Sequence, residues 1–451
     1  MTTPNLERLL QKYSRPGPRY TSYPTVPVWS DTFGADDYRA ALRELATAPD
    51  AAELCLYVHL PFCAMACLYC GCNNAVTSKT EVVDAYLDRV AREIALIAAL
   101  LDGRRRVVQM HWGGGTPNVL TPRQMERLVR SIEAAFDLDW SGDMSIEIDP
   151  RVASLAQLKH IRSLGFRRIS LGVQDFAPQV QRAIGRHQPE ALTVGVFAAC
   201  REVGFESINL DLVYGLPLQT RATFERTVDA VLAMRPDRLA IFNYAHVPKL
   251  RPKQRHIRTE DLPDVMTRFA MFDDAQRRLT ADDYVWVGMD HFARSDDELA
   301  AAAREKRLHR NFMGYTLRPA SNLIAFGMSG ISELSGYYAQ NDAKLGRYQR
   351  VLDQGELPIV RGHRLTLDDQ RRRAAINQLM CNMELPLAEV EEDFRAGLAS
   401  LRVMEDDGLI RFEGDRLTVT TLGRPFVRNI CMTLDAYLNA DAVQPVFSKT
   451  L

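Results

Sequence analysis

The sequence is short of several things that would direct it to particular compartments or partners. Only 8 of its 451 residues are cysteine. Four of these crowd into ten positions, so there is no dispersed set of pairs for a disulfide framework, and a reducing compartment is expected. Neither sign of charge is in excess: 56 Lys and Arg face 57 Asp and Glu, with a pI near 6.8. That balance gives no electrostatic case for nucleic acid or an anionic membrane as partner. No apolar run approaches the ~18–20 residues of a membrane span. The opening MTTPNLERLLQKYSRPGPRYTSYP lacks the apolar segment of a secretory signal. A cytoplasmic protein is expected, and the absence of a sustained apolar heptad points to a monomer.

The middle of the chain alternates between two textures. Short apolar or β-branched runs occur at 55–61, 107–115, 144–150, 168–176, 207–217, 238–245 and 284–293. Between them lie stretches such as VVDAYLDRVAREIALIAALL and TPRQMERLVRSIEAAFDL, with apolar residues at helical spacing. Strands separated by helices argue for βα units on a parallel sheet, either a complete or partial (β/α) barrel or an open doubly wound sheet. Nearly every run ends in a carboxylate, an amide or glycines: Gly113–Gly115, Glu147 and Asp149, Gln174 and Asp175, Asp211, Asn243, Asp290 and His291. A barrel-type site gathers such groups at the carboxyl ends of its strands, which favours the barrel.

Residues 1–50, with RPGPRYTSYPTVPVW at their centre, read as an extended N-terminal arm. Residues 51–365 form the catalytic barrel on this reading. From 366 to 451 the chain reads as helices around a hairpin that turns at Glu413–Asp415, a small, mostly helical, winged-helix-like domain. No basic stripe accompanies that shape, so a packing module or lid is expected rather than a DNA reader.

PFCAMACLYCGCNN carries Cys63, Cys67, Cys70 and Cys72. Structural zinc prefers two separated pairs of ligands, although four clustered thiols could close such a site alone. Ferredoxin-type clusters use C-x2-C-x2-C with a remote fourth cysteine, whereas the spacing here is C-x3-C-x2-C followed by C-x-C. A redox pair needs only two thiols. HWGGGTPN at 111–118 exposes backbone but matches neither common phosphate-binding glycine pattern. Cys55, Cys200, Cys381 and Cys431 lie in apolar contexts and read as core residues.

CxxxCxxC after a first barrel strand resembles the cluster motif of radical S-adenosylmethionine enzymes. The series GPRYTSYPT, YVHLPFCAMACLYCGCN, HWGGGTPN, SIEIDP, GVQDF, NLDLVYGLP, FNYAH, GMDHFAR, LHRNFMGYT and RNICM resembles the oxygen-independent coproporphyrinogen III oxidases over essentially the whole chain. Haem chaperones of the same fold resemble the barrel but lack the cysteine at position 72. The resemblance implies a [4Fe–4S] cluster on Cys63, Cys67 and Cys70, with one iron left for S-adenosylmethionine, and a catalytic role for Cys72 and Glu147. It also implies two S-adenosylmethionine molecules. Tyr57, Gly114, Glu147, Ala245 and Ile331 would hold the cluster-bound one; Tyr69, Gly115, Thr116, Gln174, Arg186 and Asp211 would hold the second.

The implied reaction turns two propionates of coproporphyrinogen III into vinyl groups. It requires an electron donor for the cluster and a terminal electron acceptor. Arg19, Arg294, Arg310, His291 and His309 are candidates to face the substrate's carboxylates at the barrel mouth. A haem chaperone and a haem-degrading radical methyltransferase are the alternatives of the same fold; a zinc-stabilised nucleic-acid binder is the remote one.

Overall fold

The computed structural model describes residues 3–47, 53–103, 105–317, 322–387, 395–438 and 447–450. Six strands run parallel and side by side in chain order: β1 (Leu54–Leu60), β2 (Arg106–Gly114), β3 (Asp137–Ile148), β4 (Arg168–Gln174), β5 (Ser207–Tyr214) and β6 (Arg238–Asn243). Leu323–Phe326 adds a seventh parallel strand on the far edge of β1. Three antiparallel strands continue that edge, and Tyr284–Gly288 with His291–Arg294 finish the other. The two ends of this twelve-stranded sheet do not pair. The fold is therefore a partial barrel.

Strand periodicity decides which face meets the helices. Leu56, Val58, Met110, Trp112, Ile146, Ile148, Leu171, Leu210 and Ile241 point outward into one continuous core beneath the helices. Their in-between neighbours, among them His111, Ser145, Glu147, Ser170, Asn209 and Asp211, point inward and line a cavity. Helix starts follow local chemistry. Thr121 and Gln124 form a capping box for Pro122–Ala135, and Thr220 and Thr223 do so for Arg221–Met234.

Three sequence expectations need correction. The run 284–293 is not another βα strand: it turns at Met289 (φ +35°), and His291–Arg294 returns antiparallel to β6. The N-terminal fifty residues are not simply extended, since Thr3–Tyr13 and Ala35–Thr47 are helical, and the proline-bearing stretch between them holds a 3-10 turn at Val26–Val28. The helix expected over TLGRPFVRNICMTLDAYL shrinks to a 3-10 turn at Arg424–Phe426 and Val427–Met432. Part of the expected helix at LAEVEEDFRAGLASLRVMEDDG falls on 388–394, outside the described residues; Arg395–Asp406 is helical.

The expected hairpin is present as Ile410–Glu413 and Arg416–Val419, with Glu384–Pro386 as an unforeseen third strand. A second core joins the two ends of the chain. Leu9, Leu10, Tyr13, Tyr20 and Tyr23 pack with Ile376, Leu379, Leu401 and Phe426. Asp407 accepts from Arg8 (2.9 Å), Lys12 (2.5 Å) and Tyr13 (2.6 Å) of the first helix. Arg428 donates to the carbonyl oxygens of Gly17, Pro18 and Lys449.

Candidate active site

The loop after β1 carries the four clustered cysteines to the carboxyl end of the barrel, where they line a cavity of about 510 Å³. The loop is fixed by backbone bonds: Gly115 N–H donates to Leu60 O and Thr116 N–H to Phe62 O, each at 2.8 Å. A Cβ on Gly115 would stand 2.6 Å from the Pro61 carbonyl, so no other residue permits this approach. Gly114 has φ +111°, and a Cβ there would strike the His59 ring. His59 is itself buried between Tyr57 Oη (3.2 Å) and Asn73 O (2.8 Å), and burial holds its pKa down.

Each of three sulfurs has its own donors. Thr116 Oγ1 donates to Cys63 (3.4 Å), Arg151 and Arg186 to Cys67 (3.4 and 3.6 Å), and Asn74 Nδ2 and Cys72 N–H to Cys70 (3.2 and 3.4 Å). Donors gathered on sulfur are what charged thiolates need. Cys70 is drawn down to about 6, first by the Cys72 thiol, whereas burial pushes Cys63 up. Among the described residues no three His, Cys, Asp or Glu side chains come together as a single-ion site. Three neighbouring cysteine sulfurs, each with its own donors, are a donor set that suits the thiolate ligands of a [4Fe–4S] cluster.

Carboxylates come from the inner faces of the strands. Glu147 accepts from His111 Nε2 and Gly114 N–H, both at 3.2 Å. Burial raises its pKa, but these bonds and the His111 charge outweigh it and leave Glu147 below its ordinary range. Asp211 accepts from Ser170 (3.1 Å) and Asn209 (2.7 Å); burial, then the Glu147 charge, pushes it up to about 6. Asp149 is shared by Arg151 (2.6 Å) and Arg186 (3.3 Å), whose charges overcome burial and lower it. Gln174 ends β4 with φ +71° and lines the cavity beside Arg186.

Cys63, Cys67, Cys70, Cys72, Tyr69, Gly114, Gly115, Thr116, Glu147, Gln174, Arg186 and Asp211 thus share one cavity. Tyr57 stands behind it, stacked on His111 at 6.0 Å. Ala245 is tied to the loop indirectly: Gln254 Nε2 donates to both Ala245 O (3.1 Å) and Tyr69 O (2.8 Å). Ile331 is not on the cavity wall; it packs against the Trp29, Tyr338 and Leu365 cluster.

Of the cation candidates, His291 reaches the cavity, and its Nδ1 meets Asp290 at 2.7 Å. Arg19 pairs with Asp290, and Arg310 Nη1 donates to Arg19 O at 2.6 Å. Arg294 does not face the mouth: it sits at the strand end opposite the cysteines, on Asp296 at 2.9 Å. His309, in a short hairpin, is off the wall as well. Sequence reasoning missed Arg151, His59 and Asn209. Only His59 carried a local signal, its place four residues before the first cysteine.

The Radical SAM superfamily profile matches residues 57–231, and the HemN C-terminal domain profile matches 365–426. A Synechocystis protein named oxygen-independent coproporphyrinogen III oxidase is 43% identical over 467 residues, spanning 100% of this chain and 99% of its own. The Escherichia coli protein of that name is 42% identical over 98% of both chains. The chain belongs to the oxygen-independent coproporphyrinogen III oxidase family. Its fold agrees with that membership. The solved structure of coproporphyrinogen III oxidase (HemN) from Escherichia coli, described as a radical SAM enzyme, superposes with TM-score 0.88 at 42% identity, covering 93% of this chain and 98% of that one. Membership brings with it a [4Fe–4S] cluster and S-adenosylmethionine as the cofactors of this family, and the three thiols with their donors suit the cluster.

Proposed function

We propose that this chain catalyses oxygen-independent oxidative decarboxylation of coproporphyrinogen III to protoporphyrinogen IX in porphyrin synthesis. Each of two propionates loses a hydrogen atom, one further electron and carbon dioxide to become a vinyl group. When bound, the reduced cluster and S-adenosylmethionine supply the 5′-deoxyadenosyl radical that abstracts hydrogen from the propionate β-carbon.

The chain's own residues bind and orient. Cys63, Cys67 and Cys70 hold the cluster and leave one iron open to the cofactor. Glu147, already carboxylate and fixed by His111 and Gly114, accepts from the cofactor's amine or ribose hydroxyls. Tyr57, Gly114 and, through Gln254, Ala245 complete that first site; Ile331, off the cavity wall, is left out of it. Tyr69, Gly115, Thr116, Gln174, Arg186 and Asp211 hold a second S-adenosylmethionine, with Arg186 as the cation for its carboxylate. Arg19, Arg310 and the His291 imidazole are the groups offered to the substrate's carboxylates. The arm (1–50), the barrel (51–365) and the C-terminal domain (366–451) are the working divisions of a cytoplasmic monomer.

The observation that carries this reading is the place of Cys72, on the cavity wall with its N–H 3.4 Å from Cys70 Sγ. A thiol beside the cluster, but not needed to hold it, suits a catalyst better than a carrier of haem. Cys72→Ser is expected to keep the cluster's absorbance and S-adenosylmethionine binding while losing vinyl product. Loss of the cluster itself would make Cys72 a ligand and refute its catalytic role.

A further inference from the structure

The segment KLRPKQRHIR, 249–258, carries five Lys or Arg and no acid, in a chain whose overall charge is −1. It lies on the cysteine loop. Arg251 Nη1 donates to Asn73 Oδ1 (2.9 Å), Lys253 Nζ to Asn74 Oδ1 (2.7 Å) and Gln254 Nε2 to Tyr69 O (2.8 Å). The cysteine loop therefore has two sides: one lines the cavity, the other is covered by basic chain.

Most arginines of the molecule are matched to a carboxylate, and Arg258 is matched to Asp261 at 2.7 Å. Among the described residues, Lys249, Arg251, Lys253 and Arg255 have no ion-pair partner. Lys249 and Arg255 are exposed and do not line the cavity. Between the cations, Leu250 is 53% exposed, second only to Leu367 among the large apolar side chains of the described residues. Arg182, also exposed, joins the patch across an outer groove shared with His256 and Arg258.

We infer that this face docks a small acidic protein carrying a one-electron centre, the donor that reduces the cluster. The inference rests on the cluster reading of the cysteines but not on the identity of the substrate. Unpaired like charges around an apolar contact attract an oppositely charged surface and speed its encounter, and electron-transfer complexes bury little area and dissociate readily. One electron leaves the donor's cofactor and one reaches the cluster by way of the cysteine loop, to which the segment is hydrogen-bonded; no bond forms or breaks and no proton needs to move. A patch meant for the substrate's carboxylates would face the cavity, and Lys249 and Arg255 do not.

The test uses the full-length, cluster-loaded chain with Lys249→Glu and Arg255→Glu together, two exposed side chains that are not among the residues assigned to the cofactors. Stopped-flow absorbance follows cluster reduction by a reduced acidic flavodoxin and, separately, by photoreduced deazariboflavin, a small donor that needs no docking. The inference predicts that reduction by flavodoxin slows by about tenfold at low salt, that the gap closes at high salt, and that deazariboflavin is unaffected. Flavodoxin binding, followed by titration without turnover, weakens in parallel. An unchanged flavodoxin rate overturns it. So does an equal loss with both donors, which signals a damaged cluster, or a raised KM for coproporphyrinogen III with donor rates intact, which would make the patch a substrate site. Failure of the parent chain to make vinyl product would refute the proposed reaction while leaving the reduction result standing.

Discussion

With the proposed ligands Cys63, Cys67 and Cys70, Arg151 would act on the cluster without ligating it. Its guanidinium is buried, fixed by Asp149 at 2.6 Å, and donates to Cys67 Sγ at 3.4 Å. A hydrogen bond and a positive charge on a ligating sulfur stabilise the reduced, more negative cluster. Arg151→Ala should therefore move the cluster's midpoint potential to a more negative value, read by potentiometric titration, with three-cysteine ligation retained. An unchanged potential would reduce the contact to packing. This residue was not legible in the sequence because its partner lies 84 residues away and it follows a strand end, where an arginine reads as solvated. Cys63, Cys67 and Cys70 were legible because their grouping is local. Glu147 and Asp211 were legible because each closes an apolar run, where a barrel gathers its site.

Among the elements, the helix Thr80–Ala98 does more than cover the sheet. Its Glu93 is buried and accepts from Gly327 N–H (2.8 Å), Tyr348 Oη (2.5 Å) and Asn341 Nδ2 (2.6 Å). One turn of helix and more away, Tyr86 donates to His59 O (2.7 Å) and accepts from Met328 N–H (3.0 Å). The helix thus pins the loop after Leu323–Phe326 to the end of β1, beside the cysteines. Burial pushes Glu93 up to about 7, against the pull of its three donors.

A carboxyl whose folded pKa exceeds its unfolded value contributes stability in full at pH below about 4.5. That contribution is lost as the pH rises through about 7. The shift corresponds to about 3 kcal/mol in order of magnitude. Glu93→Gln cannot titrate, so the parent's Tm should fall relative to the variant's between pH 5 and 8; parallel curves would contradict the assignment. The hairpin at 284–294 was misread at this scale for a simple reason. Gly288 and Asp290 stand at the turn, but the positive φ falls on Met289 and the apolar residues on either side read as one run.

At the scale of the whole molecule, both termini close on one core and reach the same end of the barrel. Thr3–Tyr13 is held on Asp407 of the C-terminal domain, and Arg428 binds carbonyls of Gly17, Pro18 and Lys449. Arg19, the next residue of the arm, reaches Asp290 beside the cavity residue His291. Sequence texture separated the arm and the C-terminal domain from the barrel, but could not show that they pack on each other. The contacts that join them are some four hundred residues apart and leave no local pattern.

The cavity with its inward-facing carboxylates, the three donor-bound thiols with a fourth beside them, and the whole-length family likeness converge on one activity. The measurement that tests it most directly is anaerobic turnover. Reconstituted chain would be incubated with reductant, S-adenosylmethionine, an electron-accepting cell extract and coproporphyrinogen III, and vinyl product and 5′-deoxyadenosine would both be quantified. The account predicts protoporphyrinogen IX appearing together with 5′-deoxyadenosine. Cleavage of S-adenosylmethionine with no vinyl product, under conditions where a known decarboxylase succeeds, would contradict it.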